Sequence, residues 1–256
     1  MVFSHHIANA TAFHTVRGDA DPPNPYSQIN CCDYTGDSPE HISESRKAVC
    51  HELGIDEASL ITARQTHSTN VAIIDTATMQ LTVAQRADRL NGVDALVTAS
   101  TGIAIGVFTA DCVPMVMFDP MAKVAAVAHA GWKGTLYNIA AATVASMVEM
   151  GASPSCIEVA FGPSICQECF EVGDEVASLF EEKGLADGGI IVRNSSTGKA
   201  HIDLVKANIA WLSAAGIASG NINPSSPCTK CNPMEYFSAR NLGIASGRIL
   251  TGIIMN

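Results

Sequence analysis

Two imidazoles and one thiol interrupt otherwise apolar stretches of this chain: His67 in Arg64-Gln65-Thr66-His67, Cys112 in Thr109-Ala110-Asp111-Cys112, and His129 in His129-Ala130-Gly131-Trp132. Two neutral imidazoles and a thiolate make a good ligand set for zinc. They leave the fourth position to water or substrate, which distinguishes a catalytic site from a closed structural one. The spacings, 45 residues from His67 to Cys112 and 17 from Cys112 to His129, match no compact zinc finger. By spacing alone, the three are equally well read as hydrogen-bonded structural histidines and a buried thiol. The same trio would also suit a cysteine hydrolase, with Cys112 as nucleophile and His129 or His67 as its base.

These residues can meet only if the elements carrying them end side by side, and the pattern around them is that of strands. Apolar runs predict strands at Ser59 to Ala63, Val71 to Asp75, Val93 to Thr98, Ile103 to Thr109, Pro114 to Asp119 and Lys123 to Ala128. Several are nearly all apolar, as expected of a sheet covered on both faces. Each candidate ligand sits near a strand end, where α/β proteins usually build sites. Helices are expected at His41 to Leu53, between Ser38-Pro39 and Gly54, and over Leu136 to Val148, with Gly151 beyond it. A strand near Ile157 to Phe161, helices near Val172 to Glu182 and Leu204 to Ala215, and a closing strand near Arg248 to Ile254 complete the reading. Residues 17–39, rich in Gly, Asp, Pro and Asn, read as an irregular loop. With no internal repeat or low-complexity linker, residues 1–256 are expected to form one domain of α+β, or α/β-like, class.

Composition narrows the function. Of 256 residues 47% are hydrophobic, enough for one well-filled core. Fifteen Lys and Arg against twenty-five Asp and Glu give a net charge of -10, which argues against polynucleotide binding. No apolar stretch approaches the ~20 residues of a membrane span. Nine cysteines without a visible secretory signal lead to the expectation of a cytoplasmic protein with reduced thiols.

Gly92-Val93-Asp94-Ala95-Leu96-Val97-Thr98, Thr109-Ala110-Asp111-Cys112-Val113-Pro114, His129-Ala130-Gly131-Trp132-Lys133-Gly134, Phe161-Gly162-Pro163-Ser164-Ile165 and Phe170-Glu171-Val172-Gly173 follow one another in order. In this the chain resembles the laccase-domain, or YfiH-like, family of purine nucleoside phosphorylases, once labelled polyphenol oxidases. The match runs from about Asn30 to the C-terminus.

The resemblance implies a two-layered α+β fold of mixed sheets flanked by helices. It implies zinc held by His67, Cys112 and His129, with copper the weaker alternative. It also implies phosphorolysis of adenosine, inosine and methylthioadenosine, with adenosine deamination as a further activity and a peptidoglycan-precursor amidase role attached to some relatives. Asp111, Arg64 and Lys133 are the candidate catalytic groups. Asn30, Arg46 and Arg240 are the candidate substrate or phosphate contacts, and Trp132 and Phe237 the candidate purine stackers. Asp111 could serve as a general acid or could orient a histidine. Two departures from the family pattern stand out: Arg240 is followed by Asn241 where paired arginines are common, and Lys133 stands where an arginine is usual, keeping the charge but losing the bidentate fork.

A multicopper oxidase needs about ten clustered histidines. The chain has eight, and His5, His6, His14, His41, His51 and His201 form no metal-binding series. Cys166-Gln167-Glu168-Cys169 and Cys228-Thr229-Lys230-Cys231 could in isolation make a four-thiolate zinc site, yet the family often carries cysteines here without a second metal.

Overall fold

The computed structural model describes residues 2–7, 9–19 and 24–256. Its elements run β1 (Val2–Ile7), β2 (Ala10–Thr15), α1 (Pro39–Leu53), β3 (Leu60–Thr62), β4 (Val71–Ile73), α2 (Thr76–Gln80) and α3 (Val83–Arg89). The centre of the chain forms β5 (Ala95–Thr98), β6 (Ala104–Thr109), β7 (Val113–Asp119), β8 (Val124–Ala130), α4 (Trp132–Leu136), α5 (Ile139–Glu149) and β9 (Glu158–Phe161). The last part adds β10 (Glu171–Val172), α6 (Asp174–Glu182), β11 (Ile191–Arg193), β12 (Ala200–Ile202), α7 (Leu204–Ala214), β13 (Ile222–Asn223), α8 (Ala239–Leu242) and β14 (Ile249–Met255).

Among the described residues these strands form two main sheets, β1-β2-β14-β6-β3 and β13-β9-β7-β8-β5-β4, and a small third, β10-β12-β11. Both main sheets are mixed: β3 runs parallel to β6, and β4 to β5, while β7, β8 and β14 pair antiparallel with their neighbours. Strand alternation explains how the sheets stack. Val116 and Phe118 of β7 and Ala125 and Val127 of β8 share one buried cluster with Ile61, Ile105, Val107 and Ile253 of the other sheet. The intervening residues Met115, Met117, Ala126 and Ala128 instead meet Leu136, Ile139, Val144 and Leu212 of the helices. Beyond the five-stranded sheet, Val49 and Cys50 of α1 join Phe108 and Leu250 in a further cluster. The order is helix, sheet, sheet, helices, which is the expected arrangement of mixed sheets flanked by helices. Each fully buried Ile or Phe contributes about 1.5–3 kcal/mol against the entropy of ordering.

Local signals explain where the expectations held and where they slipped. Helix α1 takes Pro39 as its first residue, since the missing N–H costs nothing there, and the Ser38 hydroxyl accepts from the His41 N–H. The helix expected across 136–148 is two helices, because Asn138 adopts a left-handed φ of 66° and caps α5 by accepting from the Ala141 N–H. The hairpin β1–β2, which pairs Phe3 with His14 and continues onto β14, was not anticipated from a stretch whose His and Ala residues blur the alternation. Of the expected 17–39 loop, residues 20–23 lie outside the described residues, and 24–38 contain no helix or strand. No helix among the described residues is long and apolar enough to cross a membrane.

Candidate metal centre

The two chain segments that leave the five-stranded sheet for the six-stranded one carry two of the three candidate ligands. His67 lies between β3 and β4, and Cys112 in the loop joining β6 to β7. His129 is the penultimate residue of β8, in phase with Ala125 and Val127, so its ring points toward the space between the sheets. The three side chains therefore converge. Their candidate ligand atoms all lie within 4.8 Å of one another, with His67 Nε2 3.8 Å from Cys112 Sγ and the two imidazole rings 4.8 Å apart at 72°. His129 is buried, Cys112 partly so, and His67 is exposed, so the cluster opens on the His67 side.

The most heavily used residue beneath the cluster is one to which sequence reasoning assigned no role. Asp94, fully buried, accepts hydrogen bonds from the backbone N–H groups of Thr66, His67 and Ser68 at 2.8–3.1 Å and from the Ser68 hydroxyl at 2.7 Å. It also accepts from His129 Nδ1 at 2.7 Å. Burial alone would raise its pKa. The hydrogen bond and charge of His129, with the Ser68 contacts, outweigh that and hold it at about 2. An ionised carboxylate only accepts, so Nδ1 of His129 carries a proton and Nε2 is the nitrogen turned toward the cluster, free to ligate once its own proton is given up. The same carboxylate fixes the backbone at His67, whose φ of 62° is left-handed and would be strained without such anchoring. Only its place in Gly92-Val93-Asp94, just before an apolar strand, hinted at such a role.

Gln65 supplies a second anchor. Its amide accepts from the Phe108 N–H at 2.7 Å and donates to the Phe108 carbonyl at 2.8 Å, extending the β3–β6 pairing by side chain and tying the His67 segment to the strand that leads to Cys112. The Tyr34 hydroxyl donates to the same amide oxygen at 3.3 Å.

The residues present fit a zinc ion. The donor set is right, and the histidine–carboxylate pair is the usual outer support of such a centre. The third wall is Gly131, where a Cβ would come within 2.7 Å of His67 Cδ2 and 3.0 Å of Cys112 Sγ, so the glycine keeps the cradle open. Burial pushes the Cys112 thiol up in pKa, but the charge of His129 and hydrogen bonds from both imidazoles bring it down to about 6, so the sulfur is poised as a thiolate. Burial pushes His129 down, and the Cys112 thiolate with Asp94 reverses that to about 9.

The other sequence candidates fall into two groups. Asp111 is not in a strand but in the β6–β7 loop, at a left-handed φ of 86°. Its carboxylate accepts from Thr229 Oγ1 at 2.7 Å and the Arg240 N–H at 2.8 Å, so it clamps the 229–240 loop beside Cys112, and the histidine-orienting role goes to Asp94 instead. Asn30 is fully buried and its amide is spent within the protein, donating to Asp37 and accepting from the N–H groups of Cys32 and Arg248. Phe237 is fully buried under the Arg17 guanidinium and has no face for a purine, whereas Trp132 is half-buried with Lys133 Nζ 5.5 Å from its ring centre.

Arg64, Lys133 and Arg240 are exposed, each within a few residues of a ligand or of its clamp. Arg64 lines a hollow of about 400 Å³ with Tyr34, Thr62 and Asn91, and Arg46 reaches its wall by donating to Thr62 Oγ1 at 2.9 Å. The hollow flanks the cluster rather than containing it: none of the three candidate ligands lines it. Arg240 rests over the Phe170 ring and donates to the Glu171 carbonyl at 3.0 Å.

Two mixed sheets joined by ligand-bearing crossings define a protein of the YfiH and YlmD structural type. The fold superposes on the crystal structure of the Bacillus licheniformis hypothetical protein YfiH with a TM-score of 0.88 at 29% identity, covering 96% of this chain and 93% of that one. For YlmD from Geobacillus stearothermophilus the TM-score is 0.87 at 28% identity, covering 97% and 93%. The chain belongs to the laccase-domain family described as multi-copper polyphenol oxidoreductase laccase, which matches residues 11–256. It is 49% identical to a protein of an unknown prokaryotic organism named adenosine deaminase RL5, over 98% of this chain and 96% of that relative. It is also 37% identical to a purine nucleoside phosphorylase of Bacteroides thetaiotaomicron, over 97% and 93%.

Proposed function

We propose that the chain is a zinc enzyme that cleaves purine nucleosides with phosphate, adenosine and inosine among them together with methylthioadenosine, and that it also deaminates adenosine. The observation that carries this reading is the open His67, Cys112 and His129 cluster, with ligand atoms within 4.8 Å of one another and one imidazole exposed. The names of the relatives at 49% and 37% identity supply the substrate class and both activities. Bound there, the ion supplies a Lewis acid that polarises an oxygen.

Phosphorolysis breaks the bond between the base and the anomeric carbon, joins that carbon to a phosphate oxygen, and delivers a proton to the departing base. Arg240 and Lys133 are the cations that would hold phosphate beside the ligands, Lys133 as a point charge without an arginine's fork. Arg64 and Arg46 would steady the nucleoside at the hollow along β3, and the half-buried Trp132 offers it an apolar edge. Asp111 acts by holding the Arg240 loop in place. In deamination, water adds to the ring carbon bearing the amino group and ammonia leaves.

Incubating the zinc-loaded protein with adenosine, with and without phosphate, tests the reading. Adenine and ribose 1-phosphate should form only with phosphate, and inosine with or without it. A zinc-loaded protein that leaves adenosine unchanged with and without phosphate would sink the proposal, as would full activity in metal-free Cys112→Ala. A covalent adduct on Cys112 formed by an amide substrate in metal-free protein would transfer the assignment to a cysteine hydrolase.

A further inference from the structure

Four of the eight cysteines that the proposed chemistry leaves unused come together on the far side of Asp111. Cys166 and Cys169 lie in the turn between β9 and β10, and Cys228 and Cys231 follow β13, yet their sulfurs all lie within 4.8 Å of one another. Four thiolates at the usual zinc–sulfur distance of about 2.3 Å stand about 3.8 Å apart at the corners of a tetrahedron. Cys169 Sγ and Cys231 Sγ are 3.5 Å apart.

The supporting backbone is built for the same end. Ser164 and Cys228 form a parallel bridge, in which the Ser164 N–H donates to the Pro227 carbonyl and the Thr229 N–H to the Ser164 carbonyl, both at 3.1 Å. The Ser226 hydroxyl donates to the Gly162 carbonyl at 2.7 Å. Within the cluster the Cys166 N–H donates to Cys228 Sγ at 3.3 Å, a contact that stabilises sulfur as thiolate. Two C-x-x-C pairs on two pinned loops make a closed, all-sulfur set, unlike the open mixed set at His67.

We propose that Cys166, Cys169, Cys228 and Cys231 bind a second zinc ion, with no vacant position and a structural task. It cross-links the two loops and so holds Thr229 and Arg240, the residues that grip Asp111 next to Cys112. This inference stands whether or not the chain acts on nucleosides.

Metal content and X-ray absorption at the zinc edge test it on the full chain, purified under reducing conditions and equilibrated with zinc alone. The expected result is two zinc ions per chain in the wild type and one in Cys112→Ala, the latter surrounded by four sulfurs at about 2.3 Å. The double variant Cys169→Ser, Cys231→Ser should also hold one, now with a mixed nitrogen and sulfur shell. A metal-free Cys112→Ala, or an ion without four sulfur neighbours in that variant, would overturn the proposal. So would recovery of the four residues as disulfides from zinc-loaded, reduced protein. A wild type with a single ion among four sulfurs would uphold it and count against the first site alone. Because Cys112→Ala leaves all four thiols in place, that measurement decides the matter even if the double variant does not fold.

Discussion

His129 is tied to Asp94 at two points: its backbone N–H donates to the Asp94 carbonyl at 2.8 Å, and its ring Nδ1 donates to the Asp94 carboxylate at 2.7 Å. The first bond sets the height of the residue along β8 and the second sets the rotation of the ring, so the position of Nε2 is fixed by one neighbour.

Replacing Asp94 by Asn should therefore weaken zinc binding by about tenfold to a hundredfold. The change swaps one accepting oxygen for a donor facing Thr66, His67, Ser68 or His129. Competition with a chelating dye measures the affinity. Unchanged affinity would mean that the pair does not orient the ligand.

Gly131→Ala separates the site from the fold. The φ of -68° at this residue suits alanine, so the backbone should tolerate the change, and what the new methyl meets is His67 and Cys112. Loss of bound zinc of about tenfold or more, with a far-ultraviolet spectrum like that of the wild type, is the expected outcome. Normal zinc content would show that the cradle is looser than 2.7 Å suggests.

At Asp111, an asparagine would leave either the Thr229 hydroxyl or the Arg240 N–H without its acceptor, a cost of about 1–3 kcal/mol. A lower melting temperature and a higher KM for phosphate should result, with the pH profile of kcat unchanged in shape. Loss of one limb of that profile would instead make Asp111 a proton donor.

His14 of β2 predicts an acid limit to stability. Burial lowers its pKa from 6.5 to about 4, so between those values the unfolded chain binds the proton more readily than the folded one. Stability from this group is complete above pH 6.5 and is lost as the pH falls to about 4, by up to about 3 kcal/mol. His14→Phe should flatten denaturant-measured stability across that window. An unchanged slope would place the acid sensitivity elsewhere.

The three candidate ligands stand out in the sequence as polar residues at or near the ends of apolar runs, yet spacing alone left them equally readable as structural, and their ligand role came from the family resemblance. Their supports do not stand out. Asp94 looks like any polar residue preceding a strand, and its five hydrogen bonds come from backbone and side chains brought together only by the crossing from β3 to β4. Asp111, one residue before Cys112, invited a role as acid or histidine orienter, but its left-handed backbone after β6 places the carboxylate on Thr229 and the Arg240 N–H instead. Asn30 and Phe237 carry the right chemistry for substrate, yet burial consumes both, and neither neighbouring sequence nor residue type announces burial. The main strands followed from their apolar runs, whereas β10 to β13, with only two or three residues each, owe their pairing to tertiary context.

The left-handed turn at His67 rests on three amide bonds to a buried carboxylate, a foundation made wholly of protein. The socket is thus finished before any cation reaches it, the reverse of a zinc finger, whose chain collapses around its ion. Removing the ion proposed at His67, Cys112 and His129 should silence activity while the far-ultraviolet spectrum at room temperature stays unchanged, and re-addition should restore activity within the time of a diffusional encounter, with no refolding in between.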